Sequence, residues 1–177
     1  MVRRVVLCSV LLLGLSSGGS SSGDQPSKFD YSDRALIAFS SNEVTDEIRV
    51  SVAGSNCEDA VFRFAVYSGD RALYRYEKRY AGHKVNACLE GRAREFVRHT
   101  LKNAASGSSS ELPPIPPPGE EMSYGRRVLV PSSTYERLKA ANLPVLRHRT
   151  ATEDWQELVY DATTTKAVVL LESGAWH

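Results

Sequence analysis

Short segments with strand character dominate this chain and constrain its fold more than any other feature. Around Ile48, Val50 and Val52, apolar residues alternate with polar ones. This period of two is typical of a strand with one face buried and the other in water. Further strands are predicted at residues 35–40, 61–67, 72–80, 126–130, 145–148, 155–160 and 167–171. The Gly-containing loop between the segments 61–67 and 72–80 predicts a hairpin.

Only two stretches have helical periodicity. Between residues 86 and 104, apolar side chains recur every three or four positions opposite a charged side, which predicts an amphipathic helix with Asn86 as its N-cap. A shorter helix is predicted up to residue 142, because Ser133 and Glu136 have capping-box spacing. Helices are too few for a doubly wound parallel sheet. We therefore predict an α+β fold with a mostly antiparallel sheet and two helices.

Residues 1–23 have the pattern of a secretion signal followed by a Ser/Gly spacer. Arg3 and Arg4 precede a mostly apolar run over residues 5–15, and only Ser and Gly follow it. The run is shorter than the roughly 20 apolar residues that span a bilayer. We predict an exported protein, periplasmic or secreted, of a Gram-negative-type envelope. Two alternatives stay open, because no Ala-x-Ala site is present and Cys8 lies inside the apolar run. One is an uncleaved anchor, through which alone we expect membrane contact, and the other is an unusual lipoprotein.

The rest of the chain divides into two halves. Residues 24–105 hold the first strands, the hairpin and the amphipathic helix, and residues 122–177 hold a strand, the short helix and the remaining strands. Between them, residues 106–121 are rich in Ser and Pro and are predicted to form a linker or long loop with polyproline II character. A Pro-x-x-Pro spacing there also fits docking onto an aromatic groove. We expect the two halves to form one domain.

Charge and cysteine content narrow the partners and the environment. The chain has 22 Lys and Arg against 21 Asp and Glu, a net charge of +1, which gives no general electrostatic reason to bind nucleic acid. Cys57 and Cys88 lie outside the leader, and an oxidising compartment favours a disulfide between them. Such a bridge stabilises a fold by roughly 3 to 4 kcal/mol. The alternatives are a reactive thiol pair and a metal site, but the two cysteines lack the Cys-x-x-Cys spacing that is typical of both.

No catalytic, cofactor or metal motif is supported by its context. Residues 19–23 match G-x-S-x-G, but that motif needs a preceding strand and a following helix, and here it lies in the spacer. We assign no catalytic residue, no cofactor and no metal ligand. The four histidines are predicted to be ordinary surface residues: His83, His99, His148 and His177.

Arginine, lysine and tyrosine interleave over residues 71–80, and we take this segment as the candidate binding surface. The candidate binding residues are Tyr74, Arg75, Tyr76, Lys78, Arg79 and Tyr80. Tyrosine and arginine dominate binding hot spots in protein interfaces, and they also contact sugar rings or polyanionic glycans. The alternative is cross-strand aromatic packing with the long cationic side chains lying along the sheet.

In its layout, with an export signal, one disulfide and an α+β body, the chain resembles small envelope proteins of Gram-negative bacteria. These include inhibitors and immunity proteins that block cell-wall hydrolases. The resemblance implies a non-enzymatic protein that binds another envelope protein, and it transfers no residue roles. Two alternatives remain: an envelope hydrolase or transferase with a carboxylate site around Glu153, Asp154 and Glu157, and a structural or assembly protein.

Overall fold

The computed structural model describes residues 29–41, 44–80, 92–117, 120, 122, 125–151 and 153–174. In this part of the chain, nine strands and two α-helices follow one another as β1 (Phe29–Ile37), β2 (Asp46–Gly54), β3 (Val61–Ser68), β4 (Arg71–Arg79), α1 (Arg92–Lys102), β5 (Ala105–Ser108), β6 (Arg126–Val128), α2 (Ser132–Ala140), β7 (Pro144–Arg149), β8 (Trp155–Asp161) and β9 (Lys166–Ser173). All strand pairs among them are antiparallel. None of the helices described is long and apolar enough to cross a bilayer.

The first sheet is a meander in the order β1-β2-β3-β4. Its alternating strand confirms the sequence pattern, because Ile48, Val50 and Val52 are each at most 2% exposed. The predicted hairpin is also confirmed: β3 pairs with β4 through a turn in which Gly69 adopts φ of 56°, a conformation that glycine adopts without strain. β1 lies earlier than predicted, at Phe29–Ile37 instead of 35–40.

The second sheet has the order β5-β7-β8-β9-β6 and is buried on both faces. One face contributes Leu146, Leu158 and Tyr160 to a core shared with α1 and the inner face of the first sheet. The opposite face packs under α2 and the segment after β5, where it forms a second core. This core consists of Leu112, Tyr135, Leu138, Val145, Val159, Leu170 and Leu171. The second sheet is therefore the central layer of the molecule.

The predicted fold class is wrong in part, since the structure is mostly β, with the described strands in two sheets, and shows no disulfide between described residues. The α+β description still fits because two helices pack on the sheets. Alternation along a strand shows which face is buried but not which strands are hydrogen-bonded to each other. β8 is covered on both faces, because five consecutive residues, Glu157 to Asp161, are buried.

The first part of the predicted linker, residues 106–121, is packed onto the fold. β5 pairs with β7, and a 3-10 turn, Ser109–Glu111, follows it. The buried Ser109 hydroxyl donates to the Leu138 carbonyl at 2.8 Å and accepts the Leu143 N–H at 2.8 Å. These hydrogen bonds tie the segment to α2 and to the start of β7, so it is not a free spacer between two halves.

The predicted disulfide is not supported as a feature of the described fold. Cys57 is disulfide-bonded, and it is the one cysteine among the described residues. Cys8 and Cys88 lie outside those residues, so the structure does not describe the predicted pairing with Cys88. The predicted helix caps also differ. Asn86 lies outside the described residues, and α2 begins after Pro131 with no side-chain cap, so Ser133 and Glu136 form no capping box there.

One ion pair joins α2 to the end of β8. Arg137 donates to both carboxylate oxygens of Asp161, at 3.1 and 2.8 Å, and Asp161 also accepts the Thr163 N–H and hydroxyl. The Arg137 hydrogen bonds, with those from Thr163, lower the pKa of Asp161 to about 2. This carboxylate therefore stays charged in the folded protein at pH values where it is protonated in the unfolded chain.

We expect Asp161→Asn to lower the free energy of unfolding at pH 7 by roughly 1 to 2 kcal/mol, since the charged pair is lost and Arg137 is screened by solvent. Because the folded pKa of Asp161 is lowered, its stabilisation is present above pH 4 and is lost as the pH falls toward 2. Urea unfolding at both ends of this range should show the difference shrinking in acid. Glu136→Gln, at an exposed position on the same helix, is the control. An equal difference at both pH values would contradict the assignment.

Candidate functional site

β4 carries the candidate binding residues, and the structure divides them between its two faces. Tyr74, Tyr76 and Lys78 point toward the second sheet. Lys78 Nζ donates to the Thr150 carbonyl at 2.6 Å, and the Tyr76 hydroxyl reaches the same oxygen at 3.4 Å. Tyr80 follows the strand, is 1% exposed and packs against Phe29 and Phe96. These four side chains therefore make contacts inside the protein.

His148 lies at the centre of the contact between the sheets, and its predicted surface position is wrong. The imidazole is fully buried and stacks on the Phe64 ring with 4.6 Å between ring centres. Its Nδ1 donates to the Arg149 carbonyl at 3.1 Å, because a carbonyl oxygen only accepts. Its Nε2 lies 2.8 Å from the Tyr74 hydroxyl, which also contacts Gln156 Oε1 at 3.0 Å. Nothing in the neighbouring sequence, Arg147 and Arg149, indicated burial.

Of the other three histidines, His99 is exposed on α1, as predicted, while His83 and His177 lie outside the described residues.

Burial keeps the tyrosines of this contact protonated. It raises the pKa of Tyr74 above its ordinary range, with smaller contributions from Tyr76 and Glu172, and it raises the pKa of Tyr76 and Tyr80 to about 12. All three hydroxyls therefore remain hydrogen-bond donors throughout the physiological range. Their arrangement serves packing between the sheets, and the surface available to a partner lies on the opposite side of β4.

The opposite side of the first sheet, which we call the outer face, is exposed and rich in arginine. Its registered rows bring together the charged residues Asp30, Arg34, Glu47, Arg49, Arg63, Arg75, Glu77 and Arg79. The five arginines and three carboxylates give this face a net charge of +2. Small side chains, Ser51, Ala53 and Ala65, lie between the charged ones. The outer face is therefore flat and positively charged.

Ion pairs occupy only part of the outer face. Glu47 pairs with Arg34 and Arg49, and the hydrogen bond from Arg49 lowers the pKa of Glu47. Arg63 pairs with Glu77 at 2.9 Å. Arg75 and Arg79, two of the predicted binding residues, are exposed and have no ion-pair partner among the residues described.

The Tyr67 ring adds an aromatic group to the end of the outer face that lies near the β3–β4 turn. The guanidinium carbon of Arg49 lies 4.3 Å from the ring centre, and that of Arg75 lies 5.7 Å from it. Such cation–π contacts hold the long arginine side chains in place at little entropic cost on binding. Tyr67 was not among the predicted site residues. Its position could have been inferred, because it alternates with the buried Val66 and therefore points outward.

A shallow depression lies along the edge of β4 that pairs with no strand in the described part of the chain. It has a volume of about 440 Å³ and is lined by Ala72, Leu73, Tyr74, Arg75 and Lys166. Arg75 and Lys166 place positive charge at its rim. An edge strand with unpaired backbone groups is a common docking element for an extended segment of another protein.

The candidate acid/base carboxylates occupy different environments. Glu153 is exposed, Asp154 is half-buried just before β8, and Glu157 is 7% exposed within β8. Among the described residues, no group of three or more His, Cys, Asp or Glu side chains could hold a metal ion.

Comparisons with known proteins find no match: no family model, no curated protein and no solved structure is significantly similar to this chain. Function is therefore inferred from its own residues.

The two faces of β4 can be tested separately. We expect Tyr74→Phe to lower the free energy of unfolding by about 1 to 3 kcal/mol, because His148 and Gln156 lose a buried hydrogen-bond partner. Arg75→Ala, at the next position but on the outer face, should change it by less than about 0.5 kcal/mol. Urea unfolding monitored by circular dichroism measures both. Equal effects of the two substitutions would contradict the assignment of the faces.

Proposed function

We propose that this protein is an exported, non-enzymatic binding protein that recognises an acidic surface of another envelope protein through its outer face. An inhibitor or immunity function is the specific form of this proposal. The observation that carries it is the cluster of Arg49, Tyr67 and Arg75, in which two guanidinium groups flank one aromatic ring on an exposed sheet face.

The charges of the outer face select the chemistry of the partner. Arg75 and Arg79 have no carboxylate partner within the described part of the chain, so they are free to pair with carboxylates from outside. Arginine pairs with carboxylates through two parallel hydrogen bonds, which adds orientation to attraction. The net charge of the whole chain is only +1, so the attraction to an acidic partner depends on the local charge of the outer face.

The flatness of the outer face favours a protein partner over a small molecule. Small residues lie between its charged side chains, and the depression beside it is shallow and open along β4. Small ligands bind mainly in concave sites that enclose most of their surface, whereas protein interfaces are broad and are enriched in Tyr and Arg. The basic leader followed by an apolar run supports an envelope address for the encounter.

Charge reversal on the outer face tests the binding proposal. We expect Arg49→Glu with Arg75→Glu to abolish capture of a specific partner from envelope extract, because like charges then oppose the acidic surface. Capture by the unaltered protein should weaken as salt is added. Arg98→Glu with Lys102→Glu, at exposed positions on α1, changes the net charge equally and should leave capture intact. Quantitative mass spectrometry of the captured proteins measures all three.

Recovery of the same partner in equal amount by the Arg49/Arg75 variant would overturn the proposal. So would equal loss in both charge-reversed variants, since that result indicates a response to net charge and not to the outer face.

The envelope address has its own test. We expect residues 1–28, fused to a reporter enzyme that is active only after export, to give an active reporter. Replacing three leucines of the apolar run, Leu11, Leu12 and Leu13, by Asp should abolish that activity, because charge in this run prevents entry into the export machinery. Replacing Ser20, Ser21 and Ser22 by Asp is the control. An active reporter after the leucine replacement would exclude this route of export.

A further inference from the structure

β4 is an edge strand, and its backbone groups alternate in direction as its side chains do. It pairs with β3 on one side and with no described strand on the other, which we call the β4 edge. Just after β4, the Tyr80 N–H donates to the Ala60 carbonyl at 2.8 Å. Hydrogen-bonded pairs recur at every second residue of an antiparallel ladder. The register therefore directs the N–H and C=O groups of Arg75, Glu77 and Arg79 away from β3, toward the β4 edge.

The same three residues carry exposed side chains on the outer face. Glu77 is paired with Arg63 at 2.9 Å, whereas Arg75 and Arg79 form no ion pair within the described part of the chain. A strand added to the β4 edge would have side chains directly opposite these residues, about 5 Å away. It would therefore meet two unpaired cations four residues apart, with an already paired carboxylate between them.

Space for an added strand lies at the start of the β4 edge. The shallow depression of about 440 Å³ is lined by residues 72–75 of this strand and by Lys166. Lys166 is the first residue of β9 and is exposed, so it places a further cation beside the same edge. A shallow site suits one extended chain, because an added strand is held mainly by backbone hydrogen bonds and needs no deep pocket.

Charge disfavours a second copy of this chain at the β4 edge. β4 contains four cationic residues and one carboxylate, so two β4 strands side by side would bring together eight cations and two carboxylates. Like charges across a strand pair are destabilising, and charged edge strands are a common means of preventing self-association. An acidic segment reverses this effect, because its carboxylates pair with the arginines.

The other edge strand of this sheet, β1, selects no single charge. Its outer-face residues Asp30 and Arg34 have opposite signs, and Arg34 is already paired with Glu47. An acidic segment is therefore attracted to β4 and not to β1.

We propose that the β4 edge binds an extended acidic segment of the partner protein as an additional antiparallel strand. This inference rests on the proposed recognition of an acidic partner and names the element that the partner contributes. The segment has acidic side chains four residues apart, opposite Arg75 and Arg79, and a neutral residue opposite Glu77. Its backbone exchanges hydrogen bonds with these three residues, because antiparallel partners that face each other exchange both N–H···O bonds.

Amide hydrogen exchange of the full chain, followed by two-dimensional NMR, tests the edge itself. We expect the N–H groups of Tyr76 and Lys78 to exchange slowly, because they are bonded to β3. Those of Arg75, Glu77 and Arg79 should exchange at least about tenfold faster. Slow exchange at all five positions would show that another segment of the protein or a second copy already pairs with this edge, and it would overturn the proposal.

Binding to the full chain is measured with a nine-residue peptide that has Asp at its third and seventh positions and Thr, a neutral residue that favours strands, elsewhere. We expect saturable shifts of the backbone N–H signals of Arg75, Glu77 and Arg79, and slower exchange of these groups in the complex. The same peptide with Lys in place of Asp should bind at least about tenfold more weakly. Absence of saturable binding, or equal affinity for the Lys peptide, would contradict the proposal.

Two methylated peptides separate strand addition from simple charge attraction. In the proposed register the fifth peptide residue lies opposite Glu77 and directs its N–H toward β4, whereas the fourth directs its N–H away. Methylation of the fifth backbone nitrogen should weaken binding about tenfold or more, and methylation of the fourth by less than about threefold. Equal effects of the two methyl groups would mean that the peptide is not bound as a strand.

Charge reversal in the protein gives the complementary test. Arg75→Glu with Arg79→Glu should make the Lys peptide bind more tightly than the Asp peptide. Arg98→Glu with Lys102→Glu, on the exposed side of α1, should leave the preference for Asp unchanged. An unchanged preference in the Arg75/Arg79 variant would reject the proposed pairing. Loss of partner capture in the Arg49/Arg75 variant without any peptide binding would uphold recognition by the outer face and reject strand addition, so the two proposals fail separately.

Discussion

Packing of β4 against the second sheet determines how the two layers of this molecule are joined. At its centre the fully buried His148 stacks on Phe64 and contacts the Tyr74 hydroxyl, which also reaches Gln156. Hydrogen bonds of this kind require defined distances and angles, unlike apolar contacts, which tolerate sliding. The polar aromatic cluster therefore fixes the relative position of the sheets, while the surrounding apolar core supplies most of the stabilisation.

This packing also decides which residues remain available for recognition. Because Tyr74, Tyr76 and Lys78 contact the inner side of the sheet, the alternate residues Arg75 and Arg79 face outward, and Arg75 lies beside Tyr67. The second sheet shows the same division. His148 points into the inter-sheet contact, and its neighbours Arg147 and Arg149 point to the other side, where they meet Trp155. β4 thus contributes one face to the contact between the sheets and the other to the exposed outer face.

Several features were accessible to sequence reasoning because they depend on local periodicity. The alternation around Val50, the hairpin of β3 and β4, and the amphipathic helix that became α1 all follow from patterns within one or two segments. The fold class was predicted less well. Assigning the nine described strands to two sheets requires knowing that β5 pairs with β7, which follows α2 in the chain. No local pattern encodes a partner that distant in the sequence.

The sequence by itself determined the strand-rich composition, the two faces of β4 and the unusual density of arginine and tyrosine along it. It did not determine which face of β4 would be covered, because both carry residues that are stable in water or against a protein surface. Only the tertiary structure decided this, by placing His148 and Thr150 where Tyr74 and Lys78 can hydrogen-bond to them. The contact of Arg147 and Arg149 with the Trp155 ring was likewise invisible in the sequence, since these residues become neighbours only when β7 pairs with β8.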